Sequence, residues 1–308
     1  MRSNSATASL DLRTKPRRFR AEWAWAYLLI GPTIIGLLIL NIFPFIQTLL
    51  LSMEKSQGLG ATTFVGLANY KKMFGDKQIW QSTWNTLYFM ILTVPVGVFI
   101  ALVLASLLNT KIRGRDTYRG IYFLPMVVAP AAVAMVWRWM FNAEVGVINQ
   151  FLSLFGISGP NWLSDPNTAL ISCAIIAIWS AVGYDLVLIL AGLQSISPSY
   201  YEACEIDGAN AFQRFFKITI PLISPTLFFV VMMRVMASIK QFDTVYLLIK
   251  TTNPAYKKTI TLMVQFYREA FEKFNKGYAS AIVFWSFLII CLITLFQFVA
   301  EKKLVHYE

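Results

Sequence analysis

An all-α integral membrane protein with six transmembrane helices is what the sequence predicts, on two observations and one physical constraint. Of its 308 residues, 57% are hydrophobic and 14% charged, with a mean hydropathy of +0.58; soluble domains run roughly 45–50% apolar with about 25% charge. Six apolar runs, about 27–51, 86–108, 120–141, 169–193, 225–248 and 278–300, each supply the roughly 20 residues that cross a hydrocarbon core of about 30 Å. The constraint is that backbone polar groups find no water in lipid, which leaves helices as the sensible form for these runs.

Residues 1–26 make a polar tail in which Arg2, Arg13, Lys15, Arg17, Arg18 and Arg20 stand against Asp11 alone. The run that follows is too long for a signal-peptide core, and no small-residue cleavage site closes it, so it reads as an uncleaved span. The first, second and sixth runs carry no charge. The third carries Arg138, the fourth Asp185, and the fifth Arg234, Lys240 and Asp243. Pro32 and Pro44, Pro95, Pro125 and Pro130, and Pro225 are expected to kink their helices, because each removes an internal hydrogen bond. Trp23, Trp25, Trp80, Trp84, Trp137, Trp139 and Trp162 stand near span ends, as in an interfacial belt. Lys and Arg are denser in segments 1–26, 109–119, 194–224 and 301–308 than in 52–85, 142–168 and 249–277. The positive-inside rule then places both termini in the cytoplasm of a multi-pass cell-membrane (inner, cytoplasmic) protein.

The formal net charge is +11, but the basic residues are spread over short loops and form no single stripe, which excludes nucleic acid as a partner. Attraction to the anionic lipid of the bilayer suits them better. Cys173, Cys204 and Cys291 form no C-x-x-C pair, and the one histidine is His306, so neither a disulfide framework nor a zinc site is expected. No G-x-x-x-x-G-K-[ST] occurs, so ATP has no P-loop here. An enzyme reading has no residues to support it, and no cofactor is expected on this chain.

One stretch is not explained by lipid: Tyr200 to Pro225, inside the cytoplasmic segment 194–224. It reads as two short helices around a turn. Ser197-Pro198 is a helix entry, with serine as cap and proline at the first helical position; Ser199-x-x-Glu202 is a capping box for a later start. Gly208 suits a stop that needs positive φ. Asn210-x-x-Gln213 can cap a second helix ending near Pro221. On residue types alone, a solvated loop with ordinary caps is an equal reading.

The register decides between them. Glu202-Ala203-Cys204, three residues, Gly208, nine residues, Ile218, Thr219, Ile220 and Pro221 resembles the "EAA" loop of binding-protein-dependent ABC importer permeases, with Cys204 for the third-place alanine and Ile220 for leucine. Phe64 to Tyr70 (FVGLANY) with Phe74 resembles the first outer loop of the carbohydrate, maltose and glycerol-3-phosphate class. Phe123-Leu124-Pro125, Trp137, Phe141, Gly146 and Asn149 resemble its third-span region, and the outer-loop motif is more similar to the first maltose-type permease subunit than to the second. The resemblance implies an importer-permease (MetI-like) fold and a role as half of a translocation pathway for a sugar, such as an oligosaccharide. It implies a second homologous permease subunit, two cytoplasmic ABC ATPase subunits that carry ATP-Mg, and an extracytoplasmic solute-binding protein. It implies that Glu202, Ala203, Cys204, Glu205, Asp207, Gly208, Ala209 and Pro221 form a coupling helix and its turn. Glu202 and Glu205 would meet arginines on the ATPase.

Charged side chains within membrane spans usually face a cavity or one another. Asp185, Arg234, Lys240 and Asp243 are therefore pathway candidates, with Tyr184, Gln241 and Tyr246 as partners for sugar hydroxyls and Trp179 as a stacking face. The plainer reading pairs Lys240 with Asp243 at i, i+3, pairs Arg234 with a neighbouring subunit, and lets Arg138 snorkel to the interface. The polar segment 249–277 suits either an external binding protein or solvent. Two alternatives stay open: import of glycerol-3-phosphate or a polyol by the same architecture, favoured by Arg234 and Lys240, and a stand-alone secondary transporter.

Overall fold

The computed structural model describes residues 21–55, 62–110 and 113–304. The basic stretch 1–20, part of the loop after Asn109, and His306 lie outside the described residues. The rest falls into two compact units, one ending at Leu50 and the other starting at Leu51.

The first unit holds α1 (Ala21–Leu37) and most of α2 (Phe43–Ser52), joined by a π-helical turn at Leu38–Ile42. Together they give a 28-residue span, Trp25–Ser52. The widened turn lies just before Pro44, which has no N–H to give to the turn before it.

In the second unit, β1 (Glu54–Lys55) and β2 (Thr63–Phe64) pair antiparallel over two residues each, a small departure from an all-helical chain. Then come α3 (Ala68–Gly75) and α4 (Lys77–Leu108). The second span starts nine residues before its apolar run because Asp76 caps it, accepting the Gln78 N–H at 2.8 Å. The expected third span is not one helix. It is α5 (Arg115–Val127) and α6 (Pro130–Met140), bent by 97°. Val128 and Ala129 are extended, with ψ of 137° and 132°, the conformation that a following proline favours at Ala129. Pro130 then opens the new helix from its first position, where it is tolerated. Pro125 stays inside α5.

After α7 (Val147–Ser153), α8 (Ala169–Ser195) matches the expected fourth span. The loop 194–224 contains α9 (Pro198–Ile206), α10 (Ala211–Arg214), a π-helical turn at Phe215–Thr219, and α11 (Ile220–Leu222). The expected fifth span is present as Ser224–Leu248, made of α12 (Ser224–Ile239) and α13 (Asp243–Leu248) with an interruption at Lys240–Phe242. Next are α14 (Tyr256–Thr259), α15 (Leu262–Tyr267), a π-helical turn at Arg268–Glu272, and the sixth span, α16 (Lys276–Leu304).

The core of this unit lies where α4 meets α8 and α12. Ala101 and Ala105 on α4, Leu186, Ile189 and Leu190 on α8, and Val230 on α12 are fully buried together. Small residues at such a crossing let helix backbones approach closely, which is how helices associate in lipid. Gly183 shows the same thing against α5: a Cβ there would lie 1.9 Å from the Tyr122 carbonyl oxygen. Polar ties hold the segment after α13 onto α4. Asn85 Nδ2 donates to the Ile260 carbonyl at 2.9 Å, and Thr86 Oγ1 accepts the Leu262 N–H at 3.0 Å. Trp285 on α16 donates to Thr83 at 3.0 Å. Trp80, Trp84 and Trp139 are exposed as a belt requires, whereas Trp137 and Trp162 pack on the core.

Candidate functional site

Two places bring together the residues singled out in the sequence, and α8 and α12 join them. The first is the loop. Ser197 and Pro198 open α9 as expected, although the Ser197 hydroxyl bonds Ser199 (2.8 Å) and caps nothing. The alternative start at Ser199 is not used. Gly208 has φ +72° and reverses the chain, a conformation that costs an L-residue with a Cβ but not glycine. Asn210 and Gln213 form a full capping box: Asn210 Oδ1 accepts the Gln213 N–H at 2.8 Å, and Gln213 Oε1 accepts the Asn210 N–H at 3.0 Å. The second helix widens into the π-helical turn and ends at Leu222, one residue past Pro221, as expected.

Within the loop, Glu205 forms an ion pair with Arg214 across the Gly208 turn, and Tyr201 Oη lies 3.1 Å from Thr219 Oγ1. Glu205 is thus a brace inside the loop as well as a surface acid. Glu202 and Asp207 are exposed and in no ion pair among the described residues. Ala203 is exposed, and Cys204, Ala209 and Pro221 are half-buried. The structure adds an apolar element that acid-based reasoning missed. Ile206 is 87% exposed and Phe212 72%, and the Phe212 and Phe216 rings meet at 4.5 Å. Exposed apolar groups of this size beside free carboxylates suit a protein partner.

The second place is a cavity of about 430 Å³ between α4, the bent α5–α6 pair, α8 and α12–α13. Thr93, Ser180, Ser238, Gln241 and Thr244 give it hydroxyls and an amide, and Pro125, Pro130 and Val133 give it apolar walls. Arg234 reaches it from α12 and forms an ion pair with Asp185 of α8. The carboxylate is 3% exposed and the guanidinium 11%, so the pair is shielded from water and strongly coupled. This replaces the neighbouring subunit as the partner of Arg234. Arg234 Nη2 is buried without a hydrogen-bond partner, and a Cβ at Gly97 would lie 3.0 Å from it.

Of the other candidates, Gln241 and Asp243 line the cavity, and Gln241 Nε2 donates to Thr244 Oγ1 at 2.9 Å. Lys240 ends α12 and is exposed. It forms no ion pair with Asp243 among the described residues, because the helix break between them removes the i, i+3 geometry. Asp243 instead stands in the first turn of α13, where a helix dipole favours an acid. Trp179 lies in a separate apolar cavity of about 720 Å³ between α4, α5 and α8, edge-on to Trp137 at 5.6 Å. Tyr184 borders neither cavity, and Tyr246 faces away from the central one, stacked on Phe242 at 4.8 Å. Arg138 is exposed and donates to the Leu247 carbonyl at the end of α13. Thr93, Ser180, Ser238 and Thr244 were missed. The legible signal was the stripe Arg234, Ser238, Gln241, which recurs at helical spacing.

The chain has relatives among known proteins. Residues 93–306 match the family model described as "Binding-protein-dependent transport system inner membrane component". The chain is 35% identical to "Probable ABC transporter permease protein YesP" of Bacillus subtilis over 97% of both chains. It is 35% identical to the sn-glycerol-3-phosphate transport system permease protein UgpA of Agrobacterium fabrum, over 91% of this chain and 96% of that one. It is 32% identical to the trehalose/maltose transport system permease protein MalF of Thermococcus litoralis, over 95% and 96%. These relatives are transport subunits, not enzymes. A chain of the bacterial alginate ABC transporter, solved in complex with an alginate pentasaccharide-bound periplasmic protein, superposes with a TM-score of 0.81 over 92% of this chain and 96% of that one, at 24% identity, a likeness of fold.

Proposed function

Because the chain belongs to the family of binding-protein-dependent transport system inner membrane components, as a multi-pass ABC importer permease, we propose that it forms half of the pathway for a saccharide of oligosaccharide size. A second homologous permease supplies the other half. Two cytoplasmic ABC ATPase subunits bind ATP-Mg and hold the 194–224 loop, an extracytoplasmic binding protein delivers the cargo, and both termini are cytoplasmic. The observation that carries the cargo class is the central cavity. Its hydroxyls and amide match sugar hydroxyls, and its cation, Arg234, is already balanced by Asp185. With Asp243 added, the walls carry no surplus positive charge for a phosphate, which favours a saccharide over glycerol-3-phosphate.

The loop supplies the coupling. Closure of the ATPase dimer shifts α9–α11, and the spans exchange between two states by differential binding. The test is uptake into proteoliposomes that hold the complete transporter. Labelled maltotriose, lactose or an alginate trimer should enter with ATP. Gly208→Pro and Glu202→Lys should each abolish ATP-driven entry while the protein still inserts. Entry driven by the chain alone, without ATP, establishes a secondary transporter instead, and glycerol-3-phosphate as the sole cargo overturns the saccharide assignment.

A further inference from the structure

A separate cavity of about 320 Å³ lies at the end of the fifth span opposite the 194–224 loop. Tyr246 of α13, Tyr256 of α14, and Arg268 and Glu272 of the π-helical turn border it, with Lys250 and Thr251 beside them. Arg268 Nε donates to Glu272 at 2.8 Å, and Nη1 donates to Tyr256 Oη. The guanidinium carbon stands 4.9 Å from the Tyr256 ring centroid. Behind this wall Tyr246 meets Tyr267 edge-on at 4.8 Å, and Tyr267 meets Phe271 at 5.0 Å. The backbone here is unusual twice over. The 268–272 turn is π-helical, and Phe274 has φ +55°. Such geometry is found disproportionately at functional sites.

We propose that this cavity is an entry-side subsite for one pyranose ring of the transported saccharide, stacked on a tyrosine and held by the Arg268–Glu272 fork. Tyrosine faces receive the C–H side of a sugar ring, and a few convergent polar groups fix its orientation. The fork places donors beside an acceptor, the pattern that vicinal hydroxyls need, and its two charges cancel. Burial pushes the Tyr256 phenol above its ordinary value, ahead of the opposing pull of Arg268, so the hydroxyl stays protonated. The position is apt. Asp243 and Thr244 at the start of α13 line the central cavity, and Tyr246 and Leu247 near its end line this one, so a six-residue helix separates the two sites. The ligand class rests on the saccharide-import reading; the location does not.

The test is saturation-transfer NMR on the complete transporter in nanodiscs, with maltotriose, lactose and an alginate trimer as probes and sn-glycerol-3-phosphate as the ring-free control. At least one saccharide should receive saturation. The Tyr256→Leu/Arg268→Gln double variant should weaken its binding about tenfold, while Tyr256→Phe, which keeps the ring, should lose about threefold or less. The Gln241→Leu variant, altered in the central cavity, should leave the component sensitive to Tyr256 in place. Absence of saturation from every saccharide, equal binding by the double variant, or displacement by glycerol-3-phosphate overturns the subsite. ATP-driven uptake by the same preparation reads the import function separately. Binding without uptake refutes import and keeps the subsite. Uptake with binding indifferent to Tyr256 and Arg268 refutes the subsite alone.

Discussion

Replacing Asp185 with leucine leaves the Arg234 guanidinium where it is and removes its counter-charge. The two side chains are 3% and 11% exposed, and Arg234 Nη2 already lacks a hydrogen-bond partner, so no neighbour stands ready to substitute. Stranding one member of a buried pair costs about 3–5 kcal/mol. Asp185→Asn keeps an acceptor oxygen and should cost less, on the order of 1–3 kcal/mol. Asp185→Leu combined with Arg234→Met removes both charges and should recover most of the loss, because an apolar replacement of a buried pair is close to neutral. The assay is the unfolding midpoint of the purified transporter in nanodiscs, followed by tryptophan fluorescence for the wild type, Asp185→Leu, Asp185→Asn, Arg234→Met and the double variant. A coupling energy comparable to the single losses is expected. Additive losses in the double variant, or an Asp185→Leu variant with the wild-type midpoint, would show that the pair does not hold α8 to α12.

Gly183→Ala should destabilise by about 1–3 kcal/mol, because its new methyl would lie 1.9 Å from the Tyr122 carbonyl oxygen and α5 must move; an unchanged midpoint contradicts the close approach. Asn210→Ala removes half of the capping box and should cost about 1 kcal/mol locally, read as faster amide exchange confined to residues 210–214, and exchange equal to wild type refutes the cap.

Five spans were legible because lipid imposes one rule on each of them, an apolar helical stretch long enough to cross; the third was legible as an apolar run but not as a pair of helices bent by 97°. The Gly208 turn and the Asn210–Gln213 cap were legible because both are local, fixed by φ at one residue and by a four-residue hydrogen-bond pattern. Non-local features were not. Asp185 and Arg234 lie 49 residues apart, and nothing in either flank names the other. Pro125 and Pro130 looked alike as kinks, yet one sits inside a helix and the other begins a new one. The difference lies in the extended Val128–Ala129 pair, which only Pro130 enforces. Lys240 and Asp243 share a helical spacing in the sequence, but the helix ends between them. Trp179, Tyr184 and Tyr246 were chosen by residue type, whereas lining the central cavity depends also on depth along the helix: Ser180 and Tyr184 share a face of α8, one turn apart, and only Ser180 borders the cavity.

The two legible and illegible features meet in one mechanical consequence. The loop 194–224 is inserted between α8 and α12, the same helices that carry Asp185 and Arg234. Only Ile196 and Ser197 separate α8 from α9, and Ile223 alone separates α11 from α12. Within the loop, the Glu205–Arg214 pair and the Tyr201–Thr219 contact tie its two halves together, and the capping box fixes the start of the second half. A push on α9 therefore has little slack to be lost in, either inside the loop or at its ends. Further along, the buried ion pair resists separation of the two helices, since parting the charges strands both of them in a medium of low dielectric. The loop and the two helices are thus braced at two levels, and Arg234, on the wall of the central cavity, belongs to one of the two helices that the loop connects.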